Sequence, residues 1–178
     1  MLQITIPGGE KYDEAKNLFI YSKEQTITLE HSLLSISKWE AKWKKPFLNN
    51  PNKTVEEQID YIRCMTITPN VDPNVFYGLT VENKQEIYSY INDAMTATWF
   101  SKKKEKAAKD VITSELIYYW MIALNIPFEC QKWHLNRLLV LVKICNEKND
   151  PKKMSKNDLR RRNKSLNEAR REAMHTRG

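Results

Sequence analysis

The chain has 178 residues, of which 41% are hydrophobic, 29% are charged and four are glycine. This length suits one compact domain with an extension, and the scarcity of glycine argues against barrels, sandwiches and glycine-rich phosphate loops. The net charge of +7 arises entirely from residues 151–178, which carry ten basic and three acidic residues. We therefore predict a globular, mostly helical body over 1–150 and a basic extension over 151–178, with any electrostatic attraction of a partner coming from the extension.

The first thirty residues predict a small β element. Residues 2–6 alternate apolar and polar side chains, the Pro-Gly-Gly sequence at 7–9 predicts a turn, and 18–21 and 25–29 predict two further short strands. No charged-then-apolar leader opens the chain, and the three cysteines are odd in number and lack a CxxC spacing. These features predict a cytoplasmic protein with reduced, buried thiols.

Four capping residues mark the starts of predicted helical segments: Ser32, Thr54, Asp72 and Thr80. Pro46 is expected to end the first segment, and Gly78 is expected to close the short third one. Helical spacing predicts the apolar faces of the three longer segments: Leu33, Ile36, Trp39 and Trp43, then Val55, Ile59 and Ile62, and last Ile87, Tyr88, Ile91 and Met95.

The most apolar segment of the chain is 111–147. Every residue from 116 to 124 is apolar or aromatic, which predicts a helix that is hydrophobic all round and central to the core. This run is too short to span a bilayer, so we expect neither a membrane-spanning helix nor a membrane partner. A break at 125–127 precedes a second, amphipathic helix over 128–145. The predicted fold class is mainly α, a single helical domain with a small N-terminal β element, a linker at 146–153 and a basic C-terminal helix over about 156–174.

The sequence offers little for catalysis or metal binding. Cys130 and His134 are four residues apart and would face one metal together if both lay on one helix. Because His31 and His175 stand alone, a buried thiol beside an imidazole is the preferred interpretation. The motifs G-x-S-x-G, H-E-x-x-H and G-x-x-x-x-G-K do not occur. We therefore expect no enzyme and no bound metal or cofactor.

Candidate partner-binding residues lie in two places. Trp133 has polar and basic neighbours that include Arg137, and a half-exposed Trp near an Arg is typical of protein-binding hot spots. The extension adds a basic cluster: Arg160, Arg161, Arg162, Arg170 and Arg171. Arginines suit contacts with nucleic-acid phosphates, but 151–178 contains no aromatic residue, which excludes base stacking from the tail. Docking on another protein is the preferred interpretation.

Three segments resemble the tail assembly chaperones of long-tailed, siphovirus-type bacteriophages of Gram-positive hosts: EHSLLSISKWEAKWKKPFL (30–48), KTVEEQIDYIRCMTITPNV (53–71) and ITSELIYYWMIALNIPFECQKWHLNRLLVLVKICNEKN (112–149). The closing MSKNDLRRRNKSLNEARR (154–171) is similar to the basic ends of the same proteins. The resemblance runs from about residue 26 to the end of the chain.

This resemblance implies a non-catalytic protein, made late in infection, that holds the long and aggregation-prone tape measure protein while tube subunits polymerise around it. It implies the tape measure protein as partner, with the major tail tube protein as a further candidate, a location in the host cytoplasm, and absence from the mature virion. We expect nucleic-acid binding to be weak at most. The alternative left open by the basic tail is a nucleic-acid-contacting virion or head–tail joining component.

Overall fold

A computed structural model describes residues 1–13, 17–98, 111–149, 160, 161, 163–165, 167 and 168 of the protein. Residue contacts divide the chain into two compact units, Met1–Ile144 and Cys145–Gly178. Within the described ranges helices predominate, and the strands lie in the first 29 residues. The predicted mainly α class with a small N-terminal β element is confirmed. None of the helices in these ranges combines the length and apolarity that crossing a membrane requires.

The N-terminal strands form two antiparallel pairs: β1 (Leu2–Ile6) with β4 (Gln25–Leu29), and β2 (Gly9–Asp13) with β3 (Leu18–Ser22). Ile6 lies opposite Gln25, and Gly9 lies opposite Ser22. The register therefore continues from one pair to the next, and the four strands make one long, interrupted hairpin. The predicted turn at 7–9 is wrong, because the chain runs through this point into β2.

Backbone crowding explains the interruption at Pro7 and Gly8. Proline has no N–H to donate to a strand ladder. A Cβ added to Gly8 would lie 2.7 Å from the backbone nitrogen of Glu24 and 2.9 Å from the carbonyl oxygen of Ser22. The Pro-Gly signal thus marks a close approach of two strands and not a reversal of the chain.

Helices α1 (Leu33–Trp43) and α2 (Val55–Met65) begin at their predicted caps. Ser32 and Thr54 each accept a hydrogen bond from the N–H three residues on, and the side chain of that residue binds the cap N–H in return. Lys44, with a left-handed φ of 55°, ends α1 before the predicted proline. The predicted face of α1 is buried at Leu33, Ile36 and Trp39, with Trp43 half-buried.

The apolar face predicted for α2 is partly wrong. Val55 is 68% exposed and Ile59 is half-buried, whereas the buried positions are Glu57, Asp60, Tyr61, Ile62 and Met65. Both buried carboxylates form ion pairs: Lys42 of α1 binds Asp60 at 2.5 Å, and Lys45, just after α1, binds Glu57 at 2.6 Å. A hydropathy pattern predicts that acidic residues face solvent, because it contains no information about basic partners elsewhere in the fold.

Beyond α2, a 3-10 helix at Val75–Gly78 confirms the predicted short turn, but its N-cap position is Asn74 and not the predicted Asp72. Helix α3 (Val81–Asn92) begins at Thr80 as predicted. Its predicted face is wrong in part: Ile87 and Tyr90 are buried, but Tyr88 is 71% exposed and Met95 lies beyond the helix end. The buried Asn83 fixes the rotation of α3, since its side-chain amide donates to the Thr5 carbonyl oxygen of β1 at 3.2 Å.

The predicted pair of C-terminal helices is observed as three elements: α4 (Ser114–Ala123), a 3-10 helix at Phe128–Lys132 and α5 (Leu135–Asn149). The second helix therefore begins at Leu135 and not at 128. The N–H of Leu135, the first of this helix, donates to the carbonyl oxygen of His31 at 2.9 Å. Because α5 continues to Asn149, the predicted linker at 146–153 is wrong over its first four residues.

In the second unit, residues 160, 161, 163–165, 167 and 168 are helical. They fall within the C-terminal helix predicted over about 156–174, whose remaining positions lie outside the described residues. Lys164 and Glu168 form an i,i+4 ion pair at 3.9 Å on this helix.

Candidate protein-interaction surface

Helix α4 buries one stripe and leaves the opposite one open. Ile117 and Met121 are fully buried, and α4 packs against α1. On the other side Tyr119 is 63% exposed and Ile122 is 61% exposed. The prediction that this helix is surrounded by core on all sides is therefore wrong, because one neighbouring helix covers only part of its circumference.

A buried carboxylate fixes the start of α4. Glu40 of α1 accepts one hydrogen bond from the Ser114 N–H and one from the Phe47 N–H, each at 2.7 Å. The side chain of Thr113 caps the helix by accepting from the Leu116 N–H. A negative charge at a helix N-terminus is favourable, because the first N–H groups have no partner inside the helix. This anchor determines which stripe of α4 faces solvent.

The 3-10 helix extends the exposed stripe. Phe128 is 52% exposed, and its ring centroid lies 6.3 Å from that of Tyr118. The Tyr118 hydroxyl donates to Gln131 Oε1 at 2.9 Å, which holds the 3-10 helix beside α4. Residues three and four apart on a helix are neighbours, so Tyr118 and Tyr119 both adjoin Ile122. We call these four residues, Tyr118, Tyr119, Ile122 and Phe128, the α4 apolar face.

The structure brings the two predicted body residues together. The guanidinium carbon of Arg137 lies 4.2 Å from the ring centroid of the half-buried Trp133, a cation–π contact. Trp133 lies in extended backbone just before α5. The prediction that it lies on the polar flank of a helix is therefore wrong. Asn136 fixes the start of α5 by donating to the carbonyl oxygens of Ile91 at 3.1 Å and Asp93 at 2.7 Å. Arg137 itself is exposed.

The predicted arginines of the extension belong to the second unit. Arg160 and Arg161 are exposed on its helix. Arg162, Arg170 and Arg171 lie outside the described residues.

Cys130 and His134 do not share a helix, since Cys130 lies in the 3-10 helix and His134 precedes α5. The ring of His134 is already engaged, with Nε2 at 2.9 Å from the Tyr90 carbonyl oxygen. Across the described part of the chain, no group of three or more His, Cys, Asp or Glu residues is placed to hold a metal ion. The prediction of buried thiols is wrong in part, since Cys130 is buried but Cys64 and Cys145 are half-buried. Burial raises the pKa of the Cys130 thiol, which disfavours the reactive thiolate.

Sequence reasoning identified the apolar segment but missed the exposed stripe within it. The available signal was the pair of tyrosines in the run, since Tyr has an apolar body and a polar tip suited to half-exposed sites. Exposed apolar side chains that form one contiguous patch mark interaction surfaces more often than scattered ones do. The geometry therefore fits the binding of another apolar surface. Compared with known proteins, the chain matches no protein-family model, no curated protein and no solved structure.

Proposed function

We propose that this protein is a non-catalytic tail assembly chaperone of a long-tailed bacteriophage, which binds the tape measure protein and keeps it soluble during assembly of the tail tube. The observation that carries the proposal is the α4 apolar face, whose Tyr119, Ile122 and Phe128 side chains are each more than half exposed. The sequence resemblance described above supplies the identity of the client. In this proposal the protein acts in the host cytoplasm and is absent from the mature virion.

The face suits a helical client. An amphipathic helix presents apolar side chains at spacings of three and four residues, and such a stripe packs into a shallow apolar surface of matching spacing. Covering one large apolar side chain contributes roughly 1–3 kcal/mol, and association itself costs several kcal/mol. Three partly exposed anchors therefore give weak, reversible binding at any one site. A chaperone that must leave as tube subunits arrive needs this reversibility.

Trp133 and Arg137 add specificity to the proposed contact. The ring of Trp133 holds the Arg137 side chain in place, so the guanidinium loses less conformational freedom when it binds a client carboxylate. The basic extension, with Arg160 and Arg161 exposed, steers acidic client segments toward the body and contributes mainly to the association rate. Trp133→Ala is expected to weaken client binding by more than about 1 kcal/mol.

Co-expression with the tape measure protein tests the function and the surface separately. The soluble fraction of the tape measure protein is measured without this protein, with the wild type and with the double variant Tyr119→Ser/Ile122→Ser. A matched control is Tyr88→Ser/Val81→Ser, because these α3 side chains are 71% and 65% exposed and lie outside the α4 apolar face. We expect the wild type and the control to keep the client soluble and the α4 variant to fail.

Two outcomes contradict the proposal in different ways. If the tape measure protein is no more soluble with the wild type than alone, the proposed function is wrong. If the α4 variant protects the client as well as the control does, the function stands and the α4 apolar face is the wrong surface. Urea denaturation of each variant ensures that a loss of protection does not reflect unfolding.

The second candidate function is a basic virion or head–tail joining component that contacts nucleic acid, favoured by the exposed Arg160 and Arg161. Titration of duplex DNA at two salt concentrations separates the two, because phosphate contacts produce tight binding with a steep salt dependence. The chaperone proposal expects weak binding at most. Mass spectrometry of purified virions provides a second test, since a chaperone leaves the finished particle and a joining component stays.

A further inference from the structure

Two histidines meet in the interior of the body. His31 lies between β4 and α1 and is 2% exposed, while His134 immediately precedes α5 and is 9% exposed. Their ring centroids are 4.9 Å apart. The backbones also join here, through a β-bridge between Ser32 and His134 and a hydrogen bond of 2.9 Å from the Leu135 N–H to the His31 carbonyl oxygen. The pair therefore lies at the joint between α1 and α5.

Each ring also reaches a second helix. His31 Nδ1 lies 2.5 Å from the Tyr61 hydroxyl of α2, and His134 Nε2 lies 2.9 Å from the Tyr90 carbonyl oxygen of α3. A carbonyl oxygen only accepts hydrogen bonds, so Nε2 of His134 carries the hydrogen and Nδ1 is bare in the neutral ring. That Nδ1 atom is buried and has no hydrogen-bond partner among the described residues.

We propose that the paired histidines form an acid-sensitive latch, in which protonation of either ring releases the start of α5 from α1 and α3 while α1 and α2 stay packed. A proton added to His134 goes to Nδ1, where it creates a buried donor with no acceptor. A proton added to either ring places a charge in a buried site beside the other ring. Both changes are costly in the closed structure and are relieved when the rings reach water.

The surroundings oppose protonation of both rings. Burial, and secondarily the neighbouring His134, lower the pKa of His31 to about 3, and burial lowers the pKa of His134. Titratable groups that act on the pair or on its tyrosines are Tyr61 and Cys64 of α2, Tyr90 of α3 and the following Asp93, Glu30 just after β4, and the amino group of Met1. The hydrogen bond to the Tyr90 carbonyl oxygen and, to a smaller extent, Asp93 favour a proton on His134, but burial outweighs them and the pKa of His134 is lowered.

The α1–α2 contact does not depend on the histidines. Lys42 binds Asp60 and Lys45 binds Glu57, and the indole N–H of Trp39 donates to the Glu57 carbonyl oxygen at 2.9 Å. Neither ion pair includes a histidine. Acid is therefore expected to release the start of α5 while α1 and α2 stay packed.

Amide hydrogen exchange of the full chain at pH 7.5 and pH 5.0, corrected for the intrinsic exchange rate, tests the latch. A group with a pKa near 3 when closed and near 6.5 when open shifts the opening equilibrium about 30-fold at pH 5. We expect protection of residues 134–142 to fall by at least about tenfold between the two pH values. Protection of Leu33–Trp43 and Val55–Met65 should change much less.

Variants identify the titrating groups. His134→Gln keeps a donor for Tyr90, and His31→Asn keeps a polar atom for Tyr61, yet neither replacement titrates. The double variant should lose the acid response, whereas His175→Gln, which changes the remaining histidine of the sequence, should retain it. Proton NMR of the wild-type histidine rings gives a readout that needs no variant. The proposal is overturned if protection of residues 134–142 is the same at pH 5.0 as at pH 7.5, whether or not the rings titrate, or if the double variant responds like the wild type.

Discussion

Removing the Glu40 carboxylate is the sharpest test of how α4 is held. This side chain is 7% exposed and accepts hydrogen bonds from two backbone N–H groups that are far apart in sequence, at Phe47 and Ser114. Both bonds are 2.7 Å long, as expected for a charged acceptor. One carboxylate thus joins the loop after α1 to the first turn of α4. The variants to compare are Glu40→Ala and Glu40→Gln.

The expected cost follows from the two bonds. A hydrogen bond to a charged group contributes about 1.5–3 kcal/mol, and a buried N–H left without a partner incurs its desolvation penalty. Glu40→Ala removes both bonds, so we expect a loss of about 3–5 kcal/mol in the free energy of unfolding. Glu40→Gln keeps one acceptor oxygen but turns an NH₂ group toward the second N–H, and we expect a loss of about 2–3 kcal/mol. Either loss is a large fraction of the 5–15 kcal/mol typical of a whole domain.

Urea denaturation followed by tryptophan fluorescence measures these losses. With a slope of about 1–3 kcal/mol per molar urea, Glu40→Ala should lower the midpoint by more than about 1 M. Glu86→Ala is the control, since Glu86 is an exposed residue of α3 and its removal should change stability by less than about 0.5 kcal/mol. A Glu40→Ala protein that loses less than about 1 kcal/mol would show that this carboxylate does not anchor α4.

Three further predictions address the core, pH and the extension. Ile117→Ala should destabilise the protein by about 2–5 kcal/mol because Ile117 is fully buried, whereas Leu124→Ala should cost less because Leu124 is half-buried; urea midpoints compare the two. His31 takes up a proton below about pH 6.5 in the unfolded chain but only near pH 3 in the folded one. Acidification to pH 5 should therefore lower the free energy of unfolding by about 2 kcal/mol through this group, and His31→Asn should abolish this pH dependence. Deleting 151–178 should leave the body folded by circular dichroism, because the body is charge-balanced and contains every tryptophan.

The helix starts were predictable because their causes are local. Ser32 and Thr54 cap their helices through residues only three positions away, so spacing in the sequence contains the relevant geometry. The interrupted hairpin was harder to predict, because a Pro-Gly pair fits a turn as well as it fits a close approach of two strands. The sequence does not show that the backbone opposite Gly8 lies within 3 Å of a Cβ position. Only the opposite segment, which includes Glu24 sixteen residues on, decides between the two.

The candidate surface depends on contacts that no local pattern encodes. A period of 3.6 residues predicts an apolar helix at α4, but its rotation is fixed by Glu40, 74 residues away. The late start of α5 has the same kind of origin, since His31 takes up the N–H of Leu135. Trp133 and Arg137 were predictable as neighbours because they are close in sequence, and their cation–π contact needs no distant partner although Trp133 precedes α5. Local chemistry therefore identified these two side chains, while tertiary contacts decided which apolar residues face solvent.

The way α4 is held bears on why its apolar stripe stays open. A helix secured only by apolar packing gains stability from each additional buried side chain, so its large residues are expected to turn inward. Here a charged acceptor at the first turn fixes the rotation independently of that gain, and Tyr119 and Ile122 stay outside although they belong to the most apolar run of the chain. Such a patch favours unwanted association of the free protein unless a partner covers it. Under the function proposed above, the client is a chain with transiently exposed apolar stripes. An open face would cover such a stripe, and a tube subunit that binds the client more tightly would displace it.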